Sequence, residues 1–81
     1  MSATMVISDV DRRILAALRR LGAATASELE LGADLVGAPI REELARMAEE
    51  RLVTSHRTSG GYEQFIYALS RKGAKLLTDN G

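Results

Sequence analysis

Along residues 8–22 the apolar positions Val10, Ile14, Leu18 and Leu21 recur every three or four residues, with Leu15 and Ala17 beside them. That spacing predicts one stripe of an amphipathic helix. Ser8 or Asp9 is placed to cap its start, Asp9 and Asp11 lie at its positive end, and Arg19 and Arg20 at its negative end. Gly22 is placed to close it in the left-handed conformation. Thr25-Ala26-Ser27-Glu28 has the capping-box spacing and predicts a second helix, kept short by Gly32 and Gly37, with Leu29, Leu31 and Leu35 as core candidates. Pro39 suits the first turn of a third helix spanning 37–52, whose stripe is Ile40, Leu44, Met47 and Leu52. Arg41, Glu42, Glu43, Arg46, Glu49 and Glu50 make its solvent face, with Glu42 and Arg46 spaced for an ion pair.

Past Leu52 the period changes. Val53 to Thr58 is rich in β-branched residues, and Phe65, Tyr67 and Leu69 alternate with Gln64, Ile66 and Ala68. These two strands flank Ser59-Gly60-Gly61-Tyr62, whose paired glycines supply the positive φ angles of a hairpin turn. Ser70 then caps a last helix through Leu76 and Leu77 that ends before Asp79. The order predicted is helix, helix, helix, hairpin, helix, an α+β arrangement over one domain spanning 1–81, with 1–7 as a flexible or dimer-forming N-terminal segment.

With 81 residues, 46% hydrophobic and 27% charged, the chain has the make-up of a small globular domain, too small for a deep substrate cavity. It contains no cysteine and one histidine, which removes thiolate chemistry and most zinc sites and points to a reduced, cytoplasmic setting. No apolar run is long enough for a membrane span. No phosphate loop or serine elbow is present, so neither catalytic residues nor cofactors are expected and the chain reads as a non-enzyme. Lysine and arginine number 11 and so do the acids, so any attraction to nucleic acid must be local. Residues 53–75 hold Arg57, Arg71, Lys72 and Lys75 against Glu63 alone, a net charge of +3.

The succession of elements from Val10 to Leu77 resembles the winged helix-turn-helix of MarR-, ArsR- and PadR-type bacterial regulators: three helices, a two-stranded wing and a short C-terminal helix. Ile14-Leu15-Ala16-Ala17-Leu18 is similar to their opening helix, Thr25-Ala26-Ser27-Glu28-Leu29 to the start of their second, and Ile40, Leu44 and Met47 to the buried positions of their recognition helix. The most specific run is Tyr67-Ala68-Leu69-Ser70-Arg71-Lys72-Gly73, which resembles the passage from wing to next helix. Two features depart from the pattern. Arg51 stands where the family usually has glycine before Leu52-Val53, so either the helix ends differently or Arg51 adopts an unusual backbone conformation. The recognition helix carries Arg41, Arg46 and Arg51 against Glu42, Glu43, Glu49 and Glu50, a net charge of −1 that opposes phosphates unless an acid accepts from a cytosine amino group.

The resemblance implies double-stranded DNA as partner and transcriptional regulation as function. Ala38, Pro39, Arg41 and Glu42 are the positions turned toward base edges, with Arg46 one turn further along for a phosphate or a guanine. His56, Arg57, Thr58, Gly60 and Gly61 form the wing tip beside the backbone or in a minor groove. Thr25 and Ser27 either meet a phosphate or serve as caps alone. One module of this size makes few contacts, so a homodimer on a two-fold site is expected, joined through Met5, Val6 and Ile7 or through Leu76 and Leu77. The alternative is a protein-interaction module presenting the acidic face of the third helix to a protein partner.

Overall fold

Ser8 closes the first helix at its N-terminus: its Oγ accepts the Asp11 N–H at 3.1 Å, and α1 (Asp9–Leu21) follows. Gly22, at φ 86°, donates its N–H to the Leu18 carbonyl at 2.8 Å and ends it. The computed structural model describes residues 8–58 and 65–80, so the expectations placed on Met5, Val6, Ile7, Gly60, Gly61 and Tyr62 lie outside the described residues. Ile14, Leu15, Ala17 and Leu18 are buried as their spacing predicts. Leu21 is not: the chain leaves the helix immediately after it, and 46% of its surface stays exposed.

The next segment, Ala23–Thr25, forms a strand, β1, that no local pattern in the sequence predicts. Three residues are too few to show alternation, and their extended backbone is stabilised by pairing with a strand more than forty positions away. The wing strands β2 (Val53–Arg57) and β3 (Phe65–Leu69) pair antiparallel, Ser55 opposite Tyr67, and β1 adds to the free edge of β3, Ala24 opposite Tyr67. The predicted two-stranded wing is present, and β1 extends it to a three-stranded sheet in the order β1-β3-β2.

Thr25 both ends β1 and begins α2 (Ala26–Gly32), and both capping-box bonds form: Glu28 N–H to Thr25 Oγ1 at 3.2 Å, Thr25 N–H to Glu28 Oε1 at 2.9 Å. Ala26 and Leu29 face the core and Leu35 joins them from the following turn. Leu31 was expected there too, but it lies about 200° round the helix from Leu29 and is 75% exposed. Asp34 and Gly37 take positive φ to reverse the chain, and Pro39 precedes α3 (Ile40–Glu49).

α3 stops short of Leu52. Arg51 turns to φ 64°, its N–H donates to the Ala48 carbonyl, and the Leu52 N–H donates to the Met47 carbonyl at 2.8 Å. This is a Schellman ending with an arginine at the left-handed position, and Leu52 and Met47 make its buried apolar contact. α4 (Arg71–Asn80) runs to Asn80, past the expected end, and returns Leu77 to the core beneath α1.

Candidate nucleic-acid interface

α3 is fixed from below by Ile40, Leu44 and Met47, all buried, so its opposite side is held outward. Glu42 lies two positions from both Ile40 and Leu44, about 160–200° round from them, and Glu49 stands similarly to Met47. The side chains of Arg41 and Glu42 are exposed and make no hydrogen bond or ion pair among the described residues. Pro39 is exposed beside them and Ala38 packs partly on the core. No side chain caps α3. Ala26, Ser27 and Glu30 of α2 face Ala38 to Glu42 across an open cleft of about 280 Å³. The structure thus gathers Ala38, Pro39, Arg41 and Glu42 on one accessible turn. Thr25 is occupied as a cap, and Ser27 stands exposed next to it.

Arg46 has different surroundings. The expected pair with Glu42 does not form; the guanidinium turns to the opposite flank, toward α1. There it meets Asp11, Glu43 at 3.0 Å and Glu50 at 2.9 Å. Asp11 is 2% exposed, and its Oδ1 has no partner among the described residues; Arg46 is the basic side chain that pairs with it, at the positive end of α1. Hydrogen bonds from Arg46 to Asp11 first and to Glu43 next hold its proton more tightly than usual. An arginine shared by three carboxylates ties α1 to α3 and offers little net positive charge to a phosphate. Nothing in the sequence marked this contact, which spans 35 positions.

On the wing, His56 and Arg57 are exposed and Thr58 is half-buried. Arg57 lies with its guanidinium 5.8 Å from the centre of the Phe65 ring, directly across the ladder, and Phe65 packs at 6.5 Å from Tyr67. Stacking of this kind restricts where the charge sits. The sequence predicts only a strand at Phe65, since cross-strand partners depend on register. Among the described residues no group of three or more His, Asp or Glu side chains is arranged to hold a metal ion, and no helix is long and apolar enough to cross a membrane.

The distinctive run from Tyr67 to Gly73 is a clasp. Ser70 Oγ accepts the Gly73 N–H at 3.0 Å to start α4, and its hydroxyl lies 2.6 Å from the Arg51 carbonyl and 2.8 Å from that of Leu52. Lys72 Nζ donates to the Glu50 carbonyl at 3.2 Å. The end of α3 is therefore pinned to the start of α4.

The chain matches no protein-family profile and no curated protein in sequence. Its structure is similar to that of BpsR of Bordetella bronchiseptica, whose DNA binding is regulated by 6-hydroxynicotinic acid, with a TM-score of 0.81 over 94% of this chain at 18% identity. The fold is a winged helix-turn-helix. The same winged helix is similar to the zinc-responsive MarR family member ZitR of Lactococcus lactis (TM-score 0.77, 98% of this chain, 15% identity). It is also similar to NadR, solved with 4-hydroxyphenylacetate (TM-score 0.78, 90% of this chain, 23% identity). The chain spans 60%, 54% and 52% of the lengths of these three proteins. In winged-helix terms, α2 and α3 are the helix-turn-helix, β2 and β3 the wing, and β1 the strand that completes the sheet.

Proposed function

We propose that this winged helix is a transcriptional regulator that binds double-stranded DNA in a sequence-specific manner. The observation that carries the reading is the uncapped start of α3, where the side chains of Arg41 and Glu42 stand outward and unpaired among the described residues, with exposed Pro39 and half-buried Ala38 beside them. Arg57, stacked on Phe65, supplies a positioned cation on the wing. Thr58 and His56 flank it, and Gly60 and Gly61 remain wing-tip candidates by sequence. The likeness to BpsR, a protein with regulated DNA binding, supports the same reading. Two copies, one DNA turn apart, would double the few contacts of a single module, so the acting form is a homodimer. The chemistry is binding alone, without catalysis.

The competing reading, a protein-interaction module using the acidic face of α3, has less support. Of its four glutamates, Glu43 and Glu50 are turned onto Arg46, which leaves two outward carboxylates rather than an acidic surface.

Titration of a fluorescent duplex pool at two salt concentrations tests the proposal. Binding should weaken steeply with salt, and Arg57→Ala should weaken it at both while reducing the salt slope by about 1. Affinity indifferent to salt and to Arg57→Ala would overturn it.

A further inference from the structure

The acids of α3 divide into two sets. Glu43 and Glu50 are neutralised against Arg46 on the flank facing α1. Glu42 is exposed, unpaired among the described residues, and projects from the first turn on the side opposite the buried stripe. Its neighbour Arg41 is equally unpaired and flanks it. On the DNA-binding reading above, on which this inference rests, that turn enters a major groove, where a carboxylate meets base edges between two phosphate chains. An ionised carboxylate only accepts hydrogen bonds. Guanine presents O6 and N7 and thymine O4, all acceptors that repel it. Adenine's N6 amino group lies beside the acceptor N7. Cytosine alone presents an amino donor with no acceptor adjoining it on the same base.

We infer that Glu42 is a specificity-determining residue that selects cytosine, and that the DNA this protein takes carries a C·G pair opposite the first turn of α3. Arg41, with its fork of donors, is suited to a guanine in the same or the next pair. The pairing also accounts for an acid at a position where the phosphate field disfavours one. The carboxylate lowers affinity for every duplex and recovers it only where an amino group meets it, which sharpens discrimination against other sequences.

Selection from a random duplex library with the full chain and with Glu42→Gln, Glu42→Ala and Glu49→Gln tests this. The wild-type motif should hold a cytosine that Glu42→Gln converts to adenine, because a glutamine amide both donates to N7 and accepts from N6. Glu42→Ala should lose preference at that position only, with discrimination falling about ten-fold, and Glu49→Gln should leave it intact. A wild-type motif unchanged at every position by both Glu42 variants overturns the inference while leaving the DNA reading standing. So does a cytosine preference that disappears with Glu49→Gln. If the wild-type chain enriches no duplex, the DNA reading itself fails and takes this inference with it. Glu42 is exposed and unpaired, so its variants keep the fold, which near-identical thermal unfolding would verify.

Discussion

Gly73 stands so close to the carbonyl oxygen of Leu52 that a β-carbon at residue 73 would overlap it. A backbone carbonyl cannot swing aside as a side-chain tip can, and this one also receives the Ser70 N–H and hydroxyl. Gly73→Ala should therefore destabilise the domain by about 1–3 kcal/mol through overpacking. That outweighs the ~1 kcal/mol that alanine ordinarily contributes inside a helix. A urea midpoint equal to or above wild type would refute the close approach.

Arg51 occupies the left-handed position of the Schellman ending with an exposed side chain. Left-handed backbone costs a β-carbon-bearing residue about 1–2 kcal/mol, while glycine adopts it freely but loses more entropy on folding. Arg51→Gly should accordingly raise stability by about 0.5–1 kcal/mol, read as a higher urea midpoint with the same slope. A lower midpoint would mean that the arginine side chain contributes more than the backbone strain removes.

Removing Arg46 leaves Asp11 buried without its counter-charge. Arg46→Ala should lower stability by about 1–3 kcal/mol, below the full value of a buried pair because the arginine is partly in solvent. In an Asp11→Leu background the same substitution should cost less than half as much. Equal penalties in the two backgrounds, measured by chemical denaturation, would show that the pair is not coupled.

Asp9 accepts from Arg12 and faces Arg13, and the Arg12 hydrogen bond first, then the Arg13 charge, holds its carboxyl below the usual carboxylate range. A group depressed on folding stabilises above its unfolded pKa, and that contribution disappears as pH falls through the lower folded value. Asp9→Asn should therefore melt below wild type at pH 7, and the gap should close on acidification below the ordinary aspartate range. Parallel melting curves at all pH values would remove the linkage.

Arg41→Ala should weaken binding to the preferred duplex by about 1–3 kcal/mol and relax selectivity at one base pair, in contrast to the uniform, salt-linked loss expected of Arg57→Ala. Equal losses across unrelated duplexes would make Arg41 a phosphate contact instead.

What could be read from the chain alone was whatever depends on near neighbours. The helical stripes apart from Leu21 and Leu31, the Ser8 cap, the Thr25–Glu28 box, the Gly22 ending and the passage from helix to strand after Leu52 act over a few residues, and each holds in the structure. The first turn of α3 was legible as a candidate only through the resemblance to winged-helix regulators. Long-range geometry decided the rest. Ala23–Thr25 is a strand because β3 offers an edge; Leu31 is exposed because α2 packs on the core through the side that carries Ala26 and Leu29. Arg46 is occupied because the fold brings Asp11 of α1 within reach of it from 35 positions away, and Phe65 lies under Arg57 because register places it there. Periodicity records which side of an element is apolar, whereas only packing determines which polar side chains meet across it, and that choice separates Glu42 from Glu43 and Arg41 from Arg46.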